Sequence, residues 1–312
     1  MRVDRPADRW FALAGAVSVP ALGAGLGALA AGGPGALGGL AVGVGLGLAV
    51  RQSLLRRSRR RRALLAEPFP ARWRQFLLES YDHYERMDAA WRLRFEDDVR
   101  IFAAEKRITG IEVAVTDELR LLVAASAVTL SVGWPEYEWD QLTEVLLYPD
   151  DFDRDYAFGG DELSGQTHPE GTVILSAPSL EESFEYPDDA FHVGIHEFAH
   201  LLDLDQSHFG GIPAGLRGAS AREWTLVAER EMERLRNEGE PRKGRRRRLP
   251  DGHSAFDPYG EEDPVEFLAV AVEAFFEIPQ RVRRQHADVY RLLSSYFGQD
   301  PAAWDDARGV RE

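Results

Sequence analysis

Phe11 to Val50 is a run of 40 residues without a charged side chain, and it narrows what this chain can fold into more than any other feature. A membrane span needs about 20 predominantly apolar residues, so the run is long enough for two. Gly32-Gly33-Pro34 lies near its middle and offers a turn. Arg2, Arg5 and Arg9 precede the run, and Arg51, Arg56, Arg57 and Arg59–Arg62 follow it. Basic flanks at both ends suit a transmembrane hairpin, with spans at about 11–31 and 34–50 and both ends cytoplasmic. A secretory leader fits poorly, because the run is too long. Two other readings stay open: a single span, or a flexible Gly/Ala linker. The linker reading rests on twelve glycines in the window, since glycine weakens helices.

Charge divides the chain in the same place. Residues 1–66 hold ten Arg against Asp4 and Asp8, a balance of +8. The whole chain carries −15, so residues 67–312 carry −15 − 8 = −23. The basic stretch 51–66 reads as a juxtamembrane linker facing anionic lipid. The acidic body argues against nucleic acid as a partner, because phosphate contacts need a basic face. There is no cysteine, so disulfides and Cys-based metal sites are excluded. That agrees with a membrane-anchored protein whose body faces the cytoplasm.

The body is expected to run from 67 to 305, with 306–312 as a tail. Helices are expected over Pro70–Tyr84, Ala89–Glu105, Leu119–Leu130, Ala221–Asn237, Pro264–Glu277 and Pro279–Phe297. Ile111–Val115, Glu144–Tyr148 and Thr172–Ser176 read as strands. The Arg242–Arg248 run reads as a solvated insertion. Asp188 or Asp189 is placed to cap the helix that comes next.

That helix carries His196-Glu197-Phe198-Ala199-His200. Two His at i and i+4 share one helix face and can bite one ion. Glu197, beside the first His, can accept a proton from a metal-bound water. Chance alone would place HExxH in about one such chain in fifty, because the pattern fixes only three positions. Context strengthens it: Val193, Ile195, Phe198, Ala199, Leu201 and Leu202 make the helix apolar on most sides. Two His and a Glu in such a helix need partners, and a metal supplies them. A catalytic zinc needs a third protein ligand, for which Asp203, Asp205, Glu266 and Glu273 are the candidates. Asp203 could alternatively orient a ligand, and His192 reads as a rim or structural residue.

Beyond the motif, an ordered series of stretches runs along the body: EVLLYP at 144–149, Ser164-Gly165, TVILS at 172–176, HEFAHLLD at 196–203, Gly211-Ile212-Pro213, Tyr259, and DPVEF…VEAFFEIP at 263–279. In this the body resembles the Mlc titration factor A family of zinc peptidases. The resemblance implies an α+β, zincin-like metallopeptidase domain, mostly helical with a small sheet. It implies Zn²⁺ held by His196, His200 and Glu266, with Glu197 as base and Tyr259 near the reacting carbonyl. Zincins bind peptide along an edge strand, a role that would fall to Thr172–Ser176; the alternative is that this is an interior strand.

The expected activity is hydrolysis of a peptide or protein substrate, aminopeptidase-like by resemblance. The alternative is a zinc-containing binding protein that sequesters a partner such as a transcriptional regulator. A closed structural site needs four protein ligands, and the intact Glu197 favours catalysis.

Overall fold

The computed structural model describes residues 1, 6–153, 155–158, 163–204, 209–238 and 254–308. Asp205, the Arg242–Arg248 run and the last residues of the expected tail lie outside them. The chain divides into two compact units, Met1–Pro68 and Phe69–Glu312.

The first unit is one long apolar helix, α1 (Pro6–Ala66), with a break at Ala31 (φ −146°) and Gly32 (φ +64°). Gly32 adopts the left-handed backbone that glycine tolerates without strain. Glycines from either side of the break meet closely. A Cβ placed on Gly23 would lie 2.3 Å from the Gly39 carbonyl oxygen, and one on Gly27 would lie 2.0 Å from that of Gly35. Trp10, Phe11, Leu22, Leu26, Leu29 and Leu37 are exposed. The segment Leu13–Ser53 is long and apolar enough to cross a membrane.

The second unit begins with α2 (Ala71–Ser80), α3 (Asp82–Arg86) and α4 (Ala89–Glu105). β1 (Ile108–Gly110), α5 (Asp117–Ser131), β2 (Glu144–Tyr148), β3 (Gly165–Thr167), β4 (Thr172–Ser176) and α6 (Ala177–Glu185) come after them. Next are α7 (Val193–Asp203), α8 (Ala219–Glu238), a 3-10 turn at Pro258–Glu261, α9 (Pro264–Glu277), α10 (Pro279–Gln285), α11 (Ala287–Phe297) and α12 (Pro301–Arg308). The unit is thus mostly helical with a small sheet.

Local chemistry explains several boundaries. The Asp88 carboxylate accepts from the Ala90 and Trp91 N–H groups and starts α4. Asp263 does the same for Val265 and Glu266, with Pro264 at the first position of α9. The single helix expected over Pro70–Tyr84 is broken at Tyr81. That residue is buried, packs on Phe184 at 4.8 Å and bonds the Thr129 hydroxyl. The strand expected at Ile111–Val115 sits earlier, at Ile108–Gly110, because Glu112 turns the chain with φ +58°. The helix expected over Pro279–Phe297 is interrupted at His286.

The four strands lie in the order β1-β2-β4-β3. β1, β2 and β4 are parallel, with Ile108 opposite Val145 and Leu147 opposite Leu175. β3 closes one edge antiparallel, with Gly165 opposite Leu175 and Thr167 opposite Val173. Thr172–Ser176 is therefore interior, and the edge belongs to Gly165–Thr167. The run of buried residues in β4 is what an interior strand requires.

Helix α7 lies in the middle of this unit, packed against α5, α9 and the β3–β4 edge. Phe198 meets Trp139 at 5.2 Å and Phe102 at 5.9 Å. The α5–α7 crossing is tight: a Cβ on Gly194 would lie 2.3 Å from Ser126 Oγ and 2.8 Å from its Cβ. Gly194→Ala should therefore destabilise the unit by about 1–3 kcal/mol, the scale of overpacking a core, and Ser126→Gly in the same chain should recover part of the loss. Thermal unfolding by near-ultraviolet circular dichroism tests this. An unchanged midpoint for Gly194→Ala would mean that the crossing has room to spare.

Candidate metal centre

α7 begins at His192, which serves as its cap in place of the expected Asp188 or Asp189. The His192 Nδ1 accepts from the Ile195 N–H at 3.2 Å. Its ring packs on Phe184 at 4.7 Å, and burial pushes its pKa down to about 3. His192 is a structural residue of the helix start. Asp189 accepts from the Phe191 N–H instead.

One turn further on, His196 and His200 stand on the same face with ring centroids 4.8 Å apart. Glu266, in the first turn of α9, brings Oε2 to 3.1 Å from His196 Nε2 and 3.7 Å from His200 Nε2. One ligand atom from each of the three lies within 4.8 Å of the other two. Two imidazole nitrogens and a carboxylate oxygen at this spacing suit a borderline metal ion, and the chain has no cysteine to offer a thiolate.

The remaining acids separate clearly. Glu273, two turns after Glu266, places Oε1 at 2.6 Å from His196 Nδ1, while Oε2 accepts from the His192 N–H at 2.6 Å. Nδ1–H donates to Glu273, which aims Nε2 at Glu266; without an ion Nε2 shares a proton with that carboxylate, and a carboxylate behind Nδ1 is the usual partner of a ligating His. Asp203 is not at the centre. It accepts from the N–H groups of Gly210, Gly211 and Ile212 at 2.8, 2.8 and 2.9 Å and pins that loop.

Glu197 points toward the sheet edge. Its Oε2 lies 2.8 Å from the Thr167 hydroxyl. A Cβ on Gly165 would stand 2.6 Å from Glu197 Cγ, so the glycine leaves the space this side chain occupies. Sequence reasoning misses Thr167 and the part Gly165 plays beside Glu197. The three-residue strand carrying them is too short and polar to stand out, and Ser164-Gly165 is legible only as part of the ordered series. Tyr259 sits in the 3-10 turn, half-exposed, with its ring 6.3 Å from that of His196. Its phenol stands close enough to Glu266 to feel that carboxylate's charge.

Electrostatics reflect this layout. Burial lifts Glu197 to about 7, against the pull of His196 and Thr167. Burial opposes a charge on His196, but Glu273 and Glu266 outweigh it and hold the imidazole well above its ordinary value. Burial also raises Glu266, yet its bond to His196 and that ring's charge leave it below the usual carboxylate range. Burial drives His200 down to about 3. Burial raises Tyr259, and the Glu266 charge adds to it.

Comparison with known proteins fits this geometry. A model of the glucose-regulated metallo-peptidase M90 family matches residues 55–298. The chain belongs to that family. An uncharacterized protein of Synechocystis sp. is 28% identical over 257 residues, covering 78% of this chain and 89% of that protein. Mlc titration factor A of Pectobacterium atrosepticum is 28% identical over 218 residues, covering 65% and 77%. The protein of the same name from Yersinia enterocolitica is 30% identical over 196 residues, covering 59% and 68%. As a metallopeptidase-family domain the body implies a metal ion, and the His196–His200–Glu266 group is a chemically suitable place for it.

Since His196 holds a proton strongly and a metal must compete for Nε2, binding should release about one proton per ion near neutral pH. Apparent affinity should therefore rise with pH through the raised His196 value and then level. Calorimetric titration with Zn²⁺ in buffers of different ionisation enthalpy measures the release. Affinity independent of pH between about 6 and 8 would place the ion elsewhere.

Proposed function

We propose that this chain is a membrane-tethered zinc metallopeptidase that cleaves peptide bonds, with an aminopeptidase-like preference. The observation that carries the reading is Glu197, an acid held between the Thr167 hydroxyl and three converging metal donors. His196, His200 and Glu266 would hold Zn²⁺. When bound, the ion supplies Lewis acidity toward a water and a substrate carbonyl.

This chain's residues do the rest. Glu197 accepts the proton of the attacking water and returns it to the leaving amine. Thr167 holds one Glu197 oxygen, which leaves the other to face the water. Glu273 keeps His196 in its ligating tautomer. Tyr259 donates its hydroxyl to the developing oxyanion. The outer edge of β3, unpaired among the described residues, offers backbone groups along which an extended peptide can lie, beside Glu197.

Binding without catalysis is the second reading. The relatives' name, Mlc titration factor A, points to capture of a regulator. Three protein donors rather than four among the described residues, with Glu197 intact beside them, favour catalysis.

The N-terminal unit would be the tether. The break at Ala31–Gly32, the close glycine pairs and the basic flanks support two antiparallel spans with the body on the cytoplasmic side. Because the chain lacks cysteine, single-cysteine variants give a clean test. Arg5→Cys and Arg60→Cys in native membranes should react with an impermeant thiol reagent from the same side, and Gly33→Cys from the other. Arg5→Cys and Arg60→Cys on opposite sides would establish a single span.

Kinetics separate the assigned roles. Glu197→Gln should keep its zinc and lose ~10²–10⁴-fold in kcat, the general-base contribution. Glu266→Ala should lose most of its zinc, whereas Glu273→Ala should weaken affinity by only ~10–100-fold. Tyr259→Phe should keep zinc and lower kcat by up to ~10²–10³-fold with little change in KM. Metal content and both constants on aminoacyl and internally quenched peptides decide the matter. Wild-type turnover by Glu197→Gln would rule out the proposed chemistry.

A further inference from the structure

Away from the metal donors, three side chains from distant parts of the chain form a Ser–His–acid relay. His286, at the junction of α10 and α11, places Nδ1 at 2.8 Å from Glu231 Oε2 on α8. Its Nε2 lies 3.1 Å from Ser254 Oγ and accepts from the Ala255 N–H at 3.3 Å. The backbone donor fixes Nε2 as an acceptor, so the ring proton sits on Nδ1 and points at Glu231. Ser254 Oγ accepts from the Phe256 N–H at 3.1 Å, which leaves its own proton for Nε2. The tautomer is that of a nucleophilic triad.

A nucleophile, however, must meet substrate. Ser254, His286 and Glu231 are 4%, 2% and 5% exposed. The Phe256 ring covers the imidazole at 4.1 Å and 28°, and itself packs edge-on against Phe267 of α9 at 5.5 Å. Arg281 donates to the Ser254 carbonyl at 3.4 Å. On the loop side, these bonds converge on residues 254–256.

The next few residues lead from there to the metal centre. Asp257 accepts from the Tyr259 N–H at 2.8 Å and shapes the 3-10 turn. A Cβ on Gly260 would lie 3.5 Å from Phe267 Cα and from Val270, so the turn lies directly on α9. Tyr259 is thus three residues from the clasped Phe256. A short, capped turn transmits a shift at its root to its tip, because few dihedral angles remain to absorb it.

We propose that His286 is a positioning residue for Tyr259: the Ser254–His286–Glu231 relay is a clasp that fixes the root of the Tyr259 turn to α8 and the α10–α11 junction. This rests on the reading of Tyr259 as the oxyanion donor. Misplacement by an ångström at such a donor costs up to ~10²-fold in rate.

The two halves of the imidazole can be cut separately. Gln at 286 reaches the Nε2 position and keeps an acceptor for Ala255 and Ser254. Asn keeps the donor to Glu231 and drops the loop. In the full-length protein at matched zinc content, His286→Asn should lower kcat by ~10–100-fold with KM nearly unchanged. His286→Gln should restore most of it, and Ser254→Ala should fall between. In the Tyr259→Phe background, His286→Asn should cost little more, since the two act through one group. Fluorotyrosine at position 259 gives a readout free of turnover: its ¹⁹F resonance should shift or broaden in His286→Asn and stay in place in His286→Gln.

An unmoved resonance in both Ser254→Ala and His286→Asn would overturn the clasp, as would additive losses of kcat with Tyr259→Phe. So would covalent labelling of Ser254 by a fluorophosphonate, which would make the relay a nucleophile. If Tyr259→Phe leaves kcat unchanged while the resonance still moves, the clasp stands and the oxyanion role of Tyr259 fails. Should His286→Asn not fold, the Ser254→Ala resonance decides alone.

Discussion

The hydrogen bond between His196 Nδ1 and Glu273, at 2.6 Å, is the contact on which the body depends. Both groups are taken out of water, a cost of several kcal/mol for a lone charge. Each offsets the other's burial. The same carboxylate also takes the His192 N–H with its second oxygen, so one side chain of α9 holds both the start of α7 and the orientation of its first imidazole. Loss of Glu273 would leave a buried N–H and a buried ring nitrogen unpaired, and would free His196 to turn. Fold and metal chemistry share this bond.

Such a bond demands that α7 be approached closely from all sides, and small residues mark where it is. Gly194 lets α5 reach α7, and Gly165 lets the sheet edge reach Glu197. At the first, a methyl group would strain a helix crossing. At the second, it would displace an acid from its place beside Thr167 without touching a metal donor. The two glycines look alike in sequence and differ in what depends on them.

Much of this is legible from the residues. HExxH announces itself because the 3.6-residue period places His196 and His200 on one face, and β2 and β4 are apolar runs bounded by Pro and Gly. α4 and α9 begin where their caps and Pro264 place them. The choice between Glu266 and Glu273 is not legible from spacing, since seven residues return to the same face. The fold separates them by depth: the first turn of α9 reaches Nε2 of His196, and the third reaches Nδ1 behind it. β3 escapes notice because three residues, Gly-Gln-Thr, carry no alternation to detect, and so the edge is expected one strand inward. The break at His286 is hidden by helix-forming neighbours, for the side chain that stops the helix bonds residues more than thirty positions away in sequence.

These omissions have a common physical cause. The proposed metal donors lie on helices whose amphipathic pattern is printed in the sequence, and rigid elements hold a constellation most accurately. Glu197's partner and Tyr259 lie on a three-residue strand and a single 3-10 turn, too short to bury a face of their own. They are held in place by contacts with α7, α8, α9 and the α10–α11 junction. On the proposed chemistry, metal retention and turnover therefore draw on different parts of the fold. Damage to a helix should remove both, whereas damage to the short elements should spare the ion and act on proton transfer and oxyanion binding alone.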